Sequence, residues 1–443
     1  MNRKKVYLRI EELIKNLRSQ RIKEAARQAG DLKAWTRQRK MPLSDILICT
    51  LAKKGLSAVM EIRQYFQTVK RVEQTVSKQD YFKQRQKLNP EVFRMLNSDY
   101  LKGFYAGQEP QTWNGYLVMA TDGSRGEIPN SEENRHIYGV SRNNSGDTVA
   151  RVCISALRDV FNRFIADISI GRNYASEIEG AKAHITALKE ITGERPVLIM
   201  FDRNYASLEF MDFLEQNGIK YLIRLHASDY KAEVEAMEGA DGEVELNYKA
   251  GRLRIIKQKS PRRAAELKEK QSACVRIIKT VFANGDKANF ITNLREGSGR
   301  DILRLYKKRW SIEKKFHTLK NKLKFESVAG KASIYVKQDF FAQMLVFNIT
   351  QDLITAAERR VAKKAKKKRL KYEMRINENI AIGLLKEKFI RLMVEEEDSL
   401  KEAMFRCLIA DMERYIVPVR ELKSSPRKRK YYNKYKCNQK PSF

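Results

Sequence analysis

Two short, unbroken apolar runs constrain this chain more than any other feature. Tyr116-Leu117-Val118-Met119-Ala120 lies between Gly115 and Gly123, and Pro196-Val197-Leu198-Ile199-Met200-Phe201 follows farther along. Each is too short for a core helix and too apolar for a half-exposed strand. Both therefore read as buried strands of a sheet covered on two faces. Each also releases an aspartate at its carboxyl end, Asp122 within Thr121-Asp122-Gly123-Ser124 and Asp202 within Phe201-Asp202-Arg203-Asn204-Tyr205. Strand patterns at 149–157 and 161–170 follow the first run. A helix pattern at 176–191 precedes the second, and helix-like sequence to Gln216 leads to a further strand at 221–225. Three strands, helix, strand, helix, strand is a mixed α/β order.

The flanking sequence divides the rest. Residues 1–105 read as a helical, basic DNA-binding region. Leu43, Ile46, Leu47 and Leu51 recur at helical spacing after Pro42, and Asn89-Pro90 supplies a cap and a first-turn proline before Val92, Phe93 and Leu96. Arg37-Gln38-Arg39-Lys40 and Lys83-Gln84-Arg85-Gln86-Lys87 give it a basic face suited to a phosphate backbone. Residues 106–226 hold the α/β unit just described. Residues 227–298 interrupt it with strand patterns at 244–248, 252–257, 275–282 and 289–294, separated by turn signals at Gly251, Ser260-Pro261 and Asn284-Gly285. The expectation is an inserted antiparallel sheet. Residues 299–350 return to the unit through a long helix pattern, 301–324, and 351–443 are helical and increasingly basic, from Lys363-Lys364-Ala365-Lys366-Lys367-Lys368-Arg369 to Arg427-Lys428-Arg429-Lys430.

Charge narrows the partner. Lys and Arg number 88 against 54 Asp and Glu, a formal charge of +34, which points to a polyanion. With 42% hydrophobic residues beside 32% charged, wholesale disorder is excluded. The uncharged run is short of the roughly 18–20 apolar residues of a membrane span in its best C-terminal instance, 340–351, which reads as a buried helix. The first residues carry no signal-peptide apolar stretch, so the expectation is a cytoplasmic protein with no membrane partner. Cys49, Cys153, Cys274, Cys407 and Cys437 form no C-x-x-C pair, and His136, His184, His226 and His317 are scattered. Neither a disulfide framework nor a zinc site is indicated. Any metal is then held by oxygen.

The 301–324 helix pattern carries the most informative spacing. At ~100° per residue, Tyr306, Arg309, Glu313 and Lys320 fall within about a 60° arc. Ile302, Leu305, Ile312, Phe316, Leu319 and Leu323 lie mostly to one side, so the stripe borders the core. Arg309 and Glu313 alone would be an ordinary i,i+4 ion pair, and one Asp after a strand an ordinary turn former. Two such aspartates on two apolar strands, with a glutamate on a later helix, make a different case, since strand ends of α/β sheets are where sites gather. Three carboxylates suit Mg²⁺ or Mn²⁺. Two such ions, about 3.5–4 Å apart, serve phosphodiester chemistry by acting on the attacking and leaving oxygens.

Tyr306, Arg309, Glu313 and Lys320 at this spacing resemble the Y-R-E-K signature of the insertion-sequence-four family of bacterial DDE transposases, to which the Tn5 transposase is related. The contexts of Asp122 and Asp202 resemble those of the family's two aspartates, and the likeness covers about residues 30–350. It implies a ribonuclease-H-like catalytic domain, interrupted by the β-rich insertion and flanked by N- and C-terminal helical regions. By the same resemblance Asp122, Asp202 and Glu313 are catalytic and coordinate two Mg²⁺ (or Mn²⁺) ions, and Tyr306, Arg309 and Lys320 contact phosphates near the transposon end. Activated water would nick the DNA, and the freed 3′-hydroxyl would attack the other strand and later a target. The implied partners are double-stranded DNA, as terminal inverted repeats and target, and a second copy of the chain in a synaptic homodimer at the bacterial nucleoid. Relatives that make a hairpin intermediate hold a flipped base with a Trp of the insertion. Here Trp35, Trp113 and Trp310 lie outside 227–298, leaving Tyr248, Phe282 or Phe290 to stack. Two rivals are a catalytically inactive DNA-binding derivative and a site-nonspecific nuclease of the same fold.

Overall fold

The computed structural model describes residues 3–37, 39–71, 76–107, 110–142, 146–282, 285–310, 312, 316, 318–323, 327–367 and 371–419. Six helices come first: α1 (Arg3–Leu17), α2 (Gln20–Ala25), α3 (Leu43–Ala52), α4 (Ala58–Thr68), α5 (Lys78–Arg85) and α6 (Glu91–Gly107). Apolar spacing explains them. Val6, Ile10, Leu13, Ile14 and Leu17 make one buried stripe on α1, and Val92, Phe93, Leu96, Tyr100, Leu101 and Phe104 another on α6. Asn89 Oδ1 accepts the Glu91 N–H at 3.1 Å, so the cap legible before Pro90 does start α6.

The first apolar run becomes the middle of the sheet. In order come β1 (Leu117–Glu127), α7 (Glu132–Tyr138), β2 (Val140–Arg142), β3 (Thr148–Asp159), β4 (Ile165–Arg172), α8 (Glu177–Thr192), β5 (Val197–Phe201), α9 (Leu208–Gln216) and β6 (Lys220–Arg224). β3 runs antiparallel to β1 and β4 antiparallel to β3, while β5 is parallel to β1 and β6 parallel to β5. The spatial order is thus β4-β3-β1-β5-β6, with the short β2 also on β3. Helix α8 covers the face that Ser155 presents, for Gly180 is packed directly against Ser155. One turn on, the fully buried His184 bridges Ser155 Oγ at 2.9 Å and Asp167 at 2.8 Å, and Arg94 of α6 grips the same Asp167.

The interruption is part helix and part sheet: α10 (Lys231–Ala236), β7 (Asp241–Asn247), α11 (Ala250–Lys259), α12 (Pro261–Glu269), β8 (Ser272–Val281) and β9 (Lys287–Thr292). β8 runs antiparallel to both β7 and β9, but the three form no sheet of their own. β9 pairs with β6, so the central sheet runs on as β6-β9-β8-β7 and reaches nine strands. The segment 252–257, expected as a strand, lies inside α11. Leu253 is buried and Ile256 packs on the core, a spacing of three that a helix satisfies and a strand does not. Ser260-Pro261 is a helix start, Ser260 Oγ accepting the Arg263 N–H with Pro261 in the first turn. Asn284 of the expected hairpin turn lies outside the described residues.

Beyond α13 (Gly299–Tyr306) the chain passes to α14 (Ser333–Lys367), β10 (Met374–Ile376), α15 (Glu378–Val394), α16 (Asp398–Arg414) and β11 (Ile416–Pro418). The run 340–351 is the buried centre of α14, and no described helix is long and apolar enough to cross a membrane. Two buried carboxylates on α14 fasten the N-terminal helices. Asp339 holds Arg85 and Lys53, each at 2.7 Å, and Asp352 holds Arg9 at 2.6 Å and the Tyr100 hydroxyl at 2.8 Å. Lys386 of α15, also fully buried, donates to the carbonyls of Leu51 and Lys53 and to Gln343. N-terminal helices, sheet and C-terminal helices share one continuous buried cluster. The basic tail at 427–430 lies outside the described residues.

Candidate active site

Asp122 and Asp202 stand level with each other. Ala120 and Met200 form the last shared rung of β1 and β5, and each aspartate lies two residues beyond it. β5 stops at Phe201, but β1 runs on to Glu127 because β3 continues to pair with it, from Asp122↔Ala156 to Glu127↔Arg151. Asp122 is therefore inside a strand and not at its end, and Gly123 is not a terminator. From Asp122 onward β1 is paired on the β3 side after its neighbour β5 has ended. Parallel strands that part in this way leave the kind of crevice where α/β sheets place ligands. Asp202 is held by its own capping bond, Oδ1 accepting the Asn204 N–H at 2.8 Å and closing a 3₁₀ turn over Arg203–Tyr205. Capping fixes the carboxylate at the mouth of the crevice.

The expected unbroken helix over 301–324 is not present. α13 ends at Tyr306, a 3₁₀ turn follows over Lys307–Arg309, and Thr318–Lys322 is a π turn. A 3₁₀ turn advances side chains further per residue than an α-helix and a π turn less far, so the constant-angle stripe dissolves. Its described members still reach the two strands, each by its own route. Tyr306 is buried and donates to the Phe201 carbonyl at 3.0 Å, immediately before Asp202, with its ring 4.7 Å from that of Phe290. Burial pushes its hydroxyl up to about 12. Tyr306 thus buttresses the end of β5 from inside the protein. Arg309, side chain 9% exposed, brings its guanidinium to 3.9 Å from Asp122 Oδ1. The Lys320 ammonium donates to the Arg125 carbonyl, farther along β1. Glu313 lies outside the described residues.

One carboxylate of the crevice is not singled out by its own place in the sequence. Glu177 begins α8 and rests on Gly123, beside Asp122, so closely that a Cβ at position 123 would sit 2.7 Å from Glu177 Oε1. Burial first, and then the charge of Asp202, push the Glu177 carboxyl up, opposed by Arg125 and by a hydrogen bond from the Asn204 side chain. Tyr205 is fully buried close by, and its hydroxyl, beside the Thr121 side chain, has no partner in full hydrogen-bonding geometry among the described residues. Burial and the charges of Glu177, Asp202 and Asp122, in that order, hold that hydroxyl far above its ordinary range. A first-turn glutamate is common on any helix, so spacing does not single out Glu177. The glycine after Asp122, which reads as a turn signal, is its only trace.

Carboxylate oxygens are the donor set of hard divalent cations, so the chemistry at the crevice fits Mg²⁺ or Mn²⁺. Among the described residues no three His, Cys, Asp or Glu side chains are grouped to hold a metal ion by themselves. The stacking candidates of the interruption are mostly withdrawn from solvent. Tyr248 and Phe290 are buried, and Phe282 alone is half-exposed, with the Arg224 guanidinium 5.6 Å from its ring centre. Away from the crevice, a cleft of about 500 Å³ among the N-terminal helices is lined by Arg18, Lys23, Lys33, Arg37, Arg39 and Lys87.

A family model described as a transposase DDE domain matches residues 113–349, more than half of the chain. No curated protein sequence matches it. Among solved structures the chain is similar to the cryo-EM structure of the piggyBac transposase synaptic complex with hairpin DNA, at 9% identity and a TM-score of 0.45, over 94% of this chain and 87% of that one. A likeness that distant carries no part of the argument. The family match opens just before β1, closes inside α14, and so encloses both aspartates, Arg309, Lys320 and the Glu313 position. The chain belongs to the transposase DDE domain family.

Proposed function

We propose that this protein is a cut-and-paste DNA transposase of the insertion-sequence-four type, with a ribonuclease-H-like core in which Asp122, Asp202 and Glu313 hold two Mg²⁺ or Mn²⁺ ions. The observation that carries the reading is the level placement of Asp122 and Asp202 across β1 and β5, with Arg309 drawn onto the first and Tyr306 locked beneath the second. The strand order β4-β3-β1-β5-β6, with only β3 reversed, supports the ribonuclease-H-like assignment. When bound, the two ions supply activation of the attacking oxygen and stabilisation of the leaving oxygen.

The chain's own residues do the rest. Asp202 is kept in one rotamer by the Asn204 N–H, so its carboxylate is oriented before substrate arrives. Arg309 and Lys320 place fixed positive charge along β1, where a scissile phosphate would carry its negative charge. Double-stranded DNA ends and target DNA are the substrates, the N-terminal cleft supplies backbone contacts, and two copies act in the synapse. Asp122→Ala, Asp202→Ala and Glu313→Ala are each expected to abolish Mg²⁺-dependent cleavage of DNA carrying the element's ends while leaving its retention in a gel-shift assay within about threefold. Cleavage surviving any one substitution removes that residue from the site. Equal cutting of unrelated DNA without strand transfer would make the protein a nuclease instead.

A further inference from the structure

Glu177 is not one of the three acidic residues that the family signature supplies, yet it is built into the crevice. Glu179, two residues on, occupies the same first helical turn and gives the same favourable interaction with the helix N-terminus, but is exposed and paired with Lys182. Glu177 instead turns inward onto the backbone of Gly123, a position that no residue with a Cβ could fill without displacing it. The main-chain alternation of β1 sends Asp122 toward Arg309 and leaves Gly123 facing α8, so the two carboxylates approach the open edge of β1 from opposite sides. Asn204 links the third, its side chain touching both Asp202, at 3.5 Å, and Glu177.

The second sign that something belongs here is Tyr205. Its hydroxyl is fully buried, lies within the field of Asp122, Asp202 and Glu177, and has the Thr121 side chain beside it but no partner in full hydrogen-bonding geometry among the described residues. A buried O–H donor without an acceptor costs roughly 1–3 kcal/mol, a cost relieved when an oxygen-bearing ligand occupies the space beside it. Hydrated divalent cations are such ligands, since Mg²⁺ and Mn²⁺ keep several waters when only one or two carboxylates bind them.

We infer that Glu177 is a fourth carboxylate of the metal centre, sharing a divalent cation with Asp202. The inference rests on the transposase reading for the presence of a metal, and adds a ligand which that reading does not contain.

Mn²⁺ binding to the full-length protein, followed by isothermal titration calorimetry and by the electron paramagnetic resonance signal of free Mn²⁺, tests it without recourse to cleavage. Glu177→Gln keeps the shape over Gly123 and removes the charge; it is expected to weaken Mn²⁺ binding at least tenfold, as Asp202→Asn does, while Glu179→Gln leaves it within twofold. Glu177→Asp, which keeps the charge but withdraws the carboxylate by one methylene, is expected to fall between and provides the measurement if the glutamine variant does not fold. Should Asp202→Asn lose Mn²⁺ while both Glu177 variants bind like Glu179→Gln, the fourth ligand is refuted and the transposase reading stands. Should neither Asp122→Asn nor Asp202→Asn change Mn²⁺ binding, the metal centre itself fails and Glu177 falls with it.

Discussion

Tyr306 shows how a side chain acts on chemistry it does not touch. Its hydroxyl holds the last carbonyl of β5, and Asp202 is the next residue, so the bond sets where the aspartate leaves the sheet. Tyr306→Phe removes one buried neutral hydrogen bond and leaves the Phe201 carbonyl without it, an expected loss of about 1 kcal/mol in urea denaturation. Because the carboxylate loses its support but not its charge, cleavage should slow by about tenfold and not vanish, at unchanged affinity for end DNA. An affinity loss with unchanged cleavage rate would return Tyr306 to the phosphate contact that the signature suggests. Residue-scale legibility is uneven for a physical reason. Asp122 and Asp202 stand out because a strand pattern has a period that an interrupting charge breaks. Glu177 stays hidden because its partner, Gly123, is distant in sequence, and packing of α8 across β1 leaves no periodic mark.

Among the elements, α14 does most to hold regions of the chain together. Asp339 is fully buried between Arg85 and Lys53, and the Arg85 guanidinium, followed by the Lys53 ammonium, overcomes the burial penalty to hold its carboxyl down at about 2. Since the folded carboxyl binds its proton less tightly than the unfolded one, the stabilisation is complete above the ordinary carboxylate range near 3.8 and is lost as pH falls from there through about 2. Asp339→Asn leaves Arg85 buried without its counter-charge and is expected to cost about 3–5 kcal/mol at neutral pH. Denaturation curves at pH 7 and pH 2.5 check both statements, for the gap between wild type and variant should narrow at the lower pH. A gap independent of pH would show that Asp339 contributes through packing alone. The buried run 340–351 and the Asn89 cap are legible because one helix period or one capping bond suffices to specify them. The segments 252–257 and 301–324 are not. In the first, three apolar and three basic residues fit both periods until Leu253 and Ile256 find the core. In the second, 3₁₀ and π turns break the angle that any helical count assumes.

At the scale of the whole molecule, an excess of +34 makes binding to nucleic acid a matter of released counterions. Replacing Arg37, Arg39 and Lys87 of the N-terminal cleft together by Ala should flatten the plot of log K against log salt for duplex DNA by about 0.9 for each phosphate no longer neutralised. Fluorescence anisotropy between low and physiological salt measures it, and an unaltered slope would mean the cleft does not meet the backbone. The mixed α/β class is legible from the order of apolar runs, whereas the continuation of one sheet through the interruption is not. Strand pairing between β6 and β9 joins segments with the whole of 231–269 between them, and nothing local records which edge a returning strand will choose.

That continuation has a mechanical consequence. β9 is zipped to β6, β6 to β5, and β5 carries Asp202 just past its last residue, so a load applied at the outlying β7 is transmitted rung by rung to an acidic group in the crevice. An arm joined by a flexible tether could drift without cost. Here, any partner that tugs on the outer strands also strains the cutting machinery.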